Sequence, residues 1–237
     1  MKFIKKYLKI IILIIICILV YFIYRNSPKR NITYTTLGDG YSIGINSYGK
    51  KDYGYNSYIK DFLEQNDRLY RYYDEYSYDD MMIKDLYNEI TNGVGSKKNI
   101  KQVLRETDII TLSIGLNDLI YKESLSSNLL SKSDEDIVDE IVMELDVLID
   151  EIKKYSQADI YLIEYYNSYK SNDELKLLLD NLNKKYEDYA KSNKIKCIPM
   201  KKNLDKYFEN PNSNYPNSLG YGEISKEILS SLDLTNK

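Results

Sequence analysis

The sequence predicts an α/β protein built on one doubly wound, parallel, five-stranded sheet. Three observations predict it. Along residues 31–237, five short runs rich in β-branched and aromatic residues alternate with segments of helical periodicity, the pattern of successive βαβ units. The run over residues 108–114 (Asp-Ile-Ile-Thr-Leu-Ser-Ile) is nearly continuous in apolar and β-branched residues, as a strand buried on both faces requires. The first run, residues 32–37, empties into a turn with Gly38, Gly40 and Gly44, and loops at the carboxyl ends of such strands are where ligands meet exposed backbone N–H groups.

Ahead of the sheet, residues 10–24 are uninterruptedly apolar, and Tyr7 and Leu8 lengthen the stretch to near the lower limit for crossing a bilayer. Lys2, Lys5, Lys6 and Lys9 precede it, and Tyr21, Phe22 and Tyr24 edge its far side like an interfacial belt. Small residues that would mark a cleavage site are missing before Ser27, and Ile16 precedes Cys17 where a lipoprotein signal needs a small residue. The expectation is an uncleaved, single-pass transmembrane helix with a cytoplasmic amino end and the domain outside. Residues 1–30 are then tip, anchor and linker, and residues 31–237 the domain. A poorly marked secretory signal is the alternative.

Residues 57–65 read as a short amphipathic helix with Tyr58, Phe62 and Leu63 inward. Residues 69–78 alternate like a strand, with Tyr70, Tyr72, Tyr76 and Tyr78 on one face. Residues 80–91 and 100–105 read as helices, the first closed by Asn92 and Gly93. The strand over 108–114 ends at Gly115-Leu116-Asn117-Asp118. Ser133 followed by Asp134, Glu135 and Asp136 opens a helix with acidic groups at its positive dipole end, and Ile137, Ile141, Leu145, Leu148 and Ile152 form its packing stripe. A strand over 160–165, a helix over 172–192, a strand over 195–200 and a final helix over 223–232 complete a flavodoxin-like order.

Composition narrows the function. Seven of the 33 basic residues and none of the 36 acidic ones lie before position 31, which leaves 26 against 36 and argues against a nucleic-acid partner. Tyrosine is abundant at 26 residues, whereas tryptophan and histidine are absent. Cys17 and Cys197 are too isolated to suggest a disulfide. With no histidine and no acidic run of calcium-loop spacing, no metal and no cofactor are expected. Eight of the ten glycines fall at 38, 40, 44, 49 and 54, at 115, and at 220 and 222, which suggests three loops built around one site.

Those three segments resemble the SGNH, or GDSL-like, hydrolase family, in particular its extracytoplasmic bacterial members, over nearly all of residues 31–237. Leu37-Gly38-Asp39, Gly115-Leu116-Asn117-Asp118, Pro216-Asn217 and Gly220-Tyr221 stand as in that family. The resemblance implies the SGNH fold, an ester or acyl hydrolase ancestry, and an oxyanion hole to which Gly40 N–H and the Asn117 amide contribute. It also implies that Asp39, Gly115 and Asp118 organise their loops. The catalytic motifs are degenerate: Gly40 stands at the nucleophile position, Tyr215 at the histidine and Asn212 at the aspartate. If residues 83–86 begin the family's next helix, the second-block oxyanion donor falls near Asp80, where a carboxylate repels a developing oxyanion.

Acyl transfer needs a hydroxyl and a base to relay its proton, and glycine supplies no nucleophile. The leading expectation is a membrane-anchored pseudo-hydrolase that binds an acyl, glycan or cell-envelope ligand. One alternative is an active ester hydrolase using Ser42 with help from Asp39 or a tyrosinate near Tyr215. Another is an envelope protein-interaction module with the tyrosines of residues 70–78 as contact surface.

Overall fold

The computed structural model describes residues 12–19, 21, 31–93, 99–129, 133–169, 172–200, 202–210 and 213–234. The chain divides into two units, Met1–Arg30 and Asn31–Lys237. In the first, residues 12–19 and 21 are helical, with apolar side chains such as Leu13 and Leu19 exposed. Among the described residues no helix is long and apolar enough to cross a membrane. Of the expected anchor, residues 10, 11, 20 and 22–24 lie outside the described residues, as do Tyr7 and Leu8.

The second unit is a five-stranded, all-parallel sheet in the order β2-β1-β3-β4-β5. Its strands are β1 (Ile32–Gly38), β2 (Leu69–Tyr73), β3 (Ile109–Ser113), β4 (Asp159–Ile163) and β5 (Lys196–Ile198). β1 lies between β2 and β3 and is buried along its whole length, so threonines alternate with Ile32, Tyr34 and Leu37 without a solvent face. Their hydroxyls pair inside the core: Tyr34 with Thr111 at 2.8 Å, Thr35 with Thr107 at 2.7 Å and Thr111 with Thr36 at 3.2 Å. Buried hydroxyls need such partners.

The helices are α1 (Gly40–Ile43), α2 (Tyr55–Gln65), α3 (Ile83–Asn92), α4 (Ile100–Glu106), α5 (Leu116–Leu129), α6 (Asp134–Tyr155), α7 (Asp173–Asn193) and α8 (Ser218–Ser231), with a 3-10 turn at Asp205–Tyr207. α2 packs on α8, while α3, α4, α5 and α7 pack on α6, giving two helical layers. α6 starts at the expected cap: Ser133 accepts from the Asp136 N–H, and the Asp136 carboxylate accepts from the Ser133 N–H. That reciprocal pair satisfies two orphan donors.

Several expectations need correction. β2 ends at Tyr73, and the chain then turns. Tyr76 is fully buried while Tyr70 is 59% exposed, so the alternating tyrosines over 70–78 do not share a face. In α2 the inward positions are Tyr55, Ile59 and Leu63, spaced four apart, and Phe62 is exposed. α5 was not anticipated. α8 starts five residues early, where the Asn217 side chain accepts from the Gly220 N–H at 3.0 Å. Gly220 and Gly222 therefore lie in a helix rather than a loop. Cys197 is a free, half-buried thiol beside Glu164.

Gly38 closes β1 with φ +123, and a Cβ there would overlap the Ser113 carbonyl of the neighbouring strand. Gly49 also has positive φ, +69, but open space around it. Gly38→Ala is expected to lose about 3 kcal/mol or more, combining backbone strain with a steric clash. Gly49→Ala should lose about 1–2 kcal/mol from strain alone. Urea unfolding of both variants checks the difference, and equal losses would contradict the packing described here.

Candidate functional site

The carboxyl ends of β1 and β3 come together through the Asp39 N–H, which donates to the Ser113 carbonyl at 2.9 Å. Asp39 caps α1: one carboxyl oxygen accepts from the Tyr41 N–H at 3.0 Å and the other from the Tyr165 hydroxyl. Asp39 has no solvent exposure. Burial pushes its pKa up from 3.8 to about 8, the bonds from Tyr165 and Tyr41 oppose the rise, and the nearby Asp118 and Asp79 charges add to it. Ser42 is also fully buried, and its hydroxyl donates to the Asp39 carbonyl at 2.6 Å.

Gly40 is the first residue of α1. A Cβ there would press on Asp79 Oδ1 and lie 2.9 Å from both Ile45 Cγ1 and the Tyr215 hydroxyl. The space a side chain at position 40 would take is thus filled by Tyr215 and Asp79, which hydrogen-bond each other. The Tyr215 segment is held by Ser47, whose hydroxyl donates to the Tyr215 carbonyl at 3.0 Å. Burial, followed by the Asp39 and Asp79 charges, pushes the Tyr215 hydroxyl far above its ordinary value. It remains a protonated donor. Burial likewise raises the Asp79 carboxyl.

Asn117 lies in the first turn of α5, and its side-chain amide donates to the Asp79 carbonyl at 2.9 Å and to the Met81 carbonyl at 3.1 Å. The Gly40 N–H donates to the same Asp79 carbonyl at 3.1 Å. Both donors that the resemblance assigns to an oxyanion hole therefore converge on one oxygen, and that oxygen belongs to the chain itself. This corrects the expectation of an open oxygen clamp. It also moves the intruding carboxylate from Asp80 to Asp79.

Asp118 accepts from the Ile83 N–H at 3.2 and 3.3 Å through its two oxygens, tying the start of α3 to α5. Burial pushes its pKa up to about 6, against the bond from Ile83. At Gly115 a side chain would collide with the Tyr186 hydroxyl, which donates to the Ile114 carbonyl at 2.8 Å. Asn212 lies outside the described residues. The structure thus brings Gly40, Asn117 and Tyr215 together around Asp79, a residue that sequence spacing missed by one position. Ser42 sits beneath Asp39 and does not face this group. Two cavities of about 550 and 540 Å³ lie elsewhere, one at Arg71, Gln102 and Glu106 and the other at Asp134, Leu177 and Lys184. Among the described residues no group of three or more His, Cys, Asp or Glu side chains is arranged to hold a metal ion.

No family model and no curated protein matches the chain. Solved structures do. A lipase from a goat rumen metagenome is 16% identical with a TM-score of 0.69, covering 84% of this chain and 97% of its own. An acetylxylan esterase from Geobacillus stearothermophilus is 15% identical with a TM-score of 0.61, covering 86% and 96%. A member of the lipolytic G-D-S-L family from Veillonella parvula is 14% identical with a TM-score of 0.55, covering 84% and 97%. Two further structures of the esterase are catalytic mutants, one with a serine and one with a histidine replaced by alanine. The α/β domain has the SGNH/GDSL hydrolase fold.

The buried carboxyls dictate a pH dependence. Asp39 and Asp118 keep protons in the folded state, to about pH 8 and about pH 6, that the unfolded chain releases near 3.8. Their stabilisation is full below about pH 4 and is lost as pH rises through those folded values, at up to about 1.4 kcal/mol per pH unit for each retained proton. Urea midpoints should therefore fall from pH 5 to pH 8. Asp39→Asn, which keeps an oxygen for the Tyr41 N–H, should flatten the profile between pH 6 and 8. A wild-type profile already flat there would contradict the assignment.

Proposed function

We propose that this is a membrane-anchored, extracytoplasmic protein of SGNH/GDSL-hydrolase fold that has lost ester hydrolysis and binds an acyl, glycan or cell-envelope ligand. The observation that carries this reading is the replacement of a nucleophile at Gly40 by the Tyr215 hydroxyl and Asp79 carboxylate packed against it. Acyl transfer requires a hydroxyl that faces a base able to take its proton. In the acetylxylan esterase a serine and a histidine are catalytic positions, and this chain has no histidine. Tyr215 holds its proton too tightly to act as the base.

Ser42 does not rescue the chemistry, because its hydroxyl is buried and committed to the Asp39 carbonyl. Asp39 is equally committed, with one oxygen on Tyr41 and the other on Tyr165. The anchor is supported by the apolar run over residues 10–24 and the lysines before it. The convergence of Gly40 and Asn117 on Asp79 favours a second reading, an envelope interaction module with no small ligand in the cleft.

The purified protein is expected to release p-nitrophenol from short-chain p-nitrophenyl esters no faster than buffer. Turnover in the ordinary enzymatic range of roughly 1–10³ s⁻¹ would overturn the reading. The triple replacement Gly40→Ser, Asn212→Asp and Tyr215→His is expected to stay silent as well, since the Asp79 carbonyl and carboxylate still occupy the oxyanion side of the site. Esterase activity in that variant would show that the Asp79 blockade is immaterial.

A further inference from the structure

The oxygen that fills the site belongs to a turn with two possible forms. Met81 N–H donates to the Tyr78 carbonyl at 3.3 Å, closing a β-turn with Asp79 and Asp80 at its centre. Among the described non-glycine residues, positive φ occurs only at Asp67 and Lys194, so neither central residue is left-handed and the turn is of type I. In this form the peptide between Asp79 and Asp80 aims its carbonyl at the Gly40 N–H and the Asn117 amide. The type II form differs by a half-rotation of that single peptide. Its carbonyl then points away, and the Asp80 N–H takes its place.

The surroundings suit such a rotation. Tyr76 and Met81 are fully buried on either side of the tip, the Tyr78 N–H donates to the Gly38 carbonyl at 3.2 Å, and the Ser77 hydroxyl donates to the Thr36 carbonyl at 3.2 Å. Tyr78, Asp79 and Asp80 themselves are exposed. The ends of the turn are pinned while its central peptide stands at the surface.

We propose that the Asp79–Asp80 peptide is a two-position gate: carbonyl inward it closes the site, and N–H inward it offers three converging donors to the oxygen of a neutral acyl group, such as an N- or O-acetyl. This rests on the ligand-binding reading. With the carbonyl inward, the Gly40 and Asn117 donors are satisfied internally. With the N–H inward, three donors are left without an acceptor until a ligand oxygen arrives, so opening is coupled to ligand entry. The Asp79 and Asp80 carboxylates beside the turn disfavour an anionic ligand, which leaves a neutral carbonyl.

Type II geometry requires positive φ at position 80, which glycine adopts freely and a β-branched residue resists. The test uses the full chain in detergent micelles, with N-acetylglucosamine as probe and glucosamine as the control lacking the acyl oxygen. Asp80→Gly is expected to bind the probe at least about tenfold more tightly than Asp80→Val, with the wild type between them and glucosamine unbound by all three. Circular dichroism checks that both variants fold, as substitutions at an exposed turn tip should. Equal affinities for the two variants, or an Asp80→Gly crystal structure with the carbonyl still inward, overturn the gate. A rotated peptide in that crystal structure without N-acetylglucosamine binding overturns the ligand reading and leaves the gate standing.

Discussion

The site depends on a requirement that hydrogen-bond donors held away from water be paired. In a hydrolase with an open oxyanion hole such donors wait for a substrate oxygen. Here the Gly40 N–H and the Asn117 amide have a partner within the chain itself, the Asp79 carbonyl. The rest of the local arrangement follows from that choice. Asp79 is brought close enough for its carboxylate to meet Tyr215, Tyr215 then fills the room beside Gly40, and Asn117 reaches on to Met81, fixing the approach to α3. Asp118 completes the link by accepting from the Ile83 N–H. The loops at the carboxyl ends of β1 and β3 and the Tyr215 segment are thus mutually supporting.

A second consequence concerns the core. Tyrosine takes the large buried positions, and its hydroxyls carry the polar connections between layers. Tyr55 meets Ser113 at 3.0 Å, Tyr186 the Ile114 carbonyl, Tyr221 the Ile45 carbonyl at 2.7 Å, and Tyr165 the Asp39 carboxyl. Tyr41 packs edge-on against Tyr165 and Tyr221. The abundance of tyrosine in the sequence is thus answered inside the fold as much as at its surface, where Tyr48 and Tyr70 stand exposed.

The sheet was legible because its strands carry their signal in side chains: the β-branched runs at 32–37 and 108–114 and the glycine turn at Gly38 have no other good conformation. α6 was legible through its stripe and cap. α5 was not, since after Leu116 and Leu119 its outer positions include Ile120, Tyr121 and Leu125, which face solvent and blur the helical period. The alternating tyrosines over 69–78 imitated a strand while the chain was already turning toward Ser77, which bridges to Gly38. At the site, Gly40, Asn117 and Tyr215 were found by motif. The oxygen at their centre was not, because it is a main-chain atom, identical in all residues. Its position depends on a turn type that Asp79 and Asp80 do not dictate.

The buried tyrosines give the molecule an optical property. Burial holds the phenols of Tyr34, Tyr165, Tyr186 and Tyr221 well above their ordinary ionisation range and moves Tyr55 up to about 12. With no tryptophan in the chain, its near-ultraviolet absorption and emission come almost wholly from phenol rings. Alkali therefore reaches two populations in sequence: exposed rings ionise reversibly, and interior ones turn to phenolate only as the packing around them gives way. The chain thus carries its own ultraviolet indicator, and the later of the two rises in phenolate absorption records collapse of the interior.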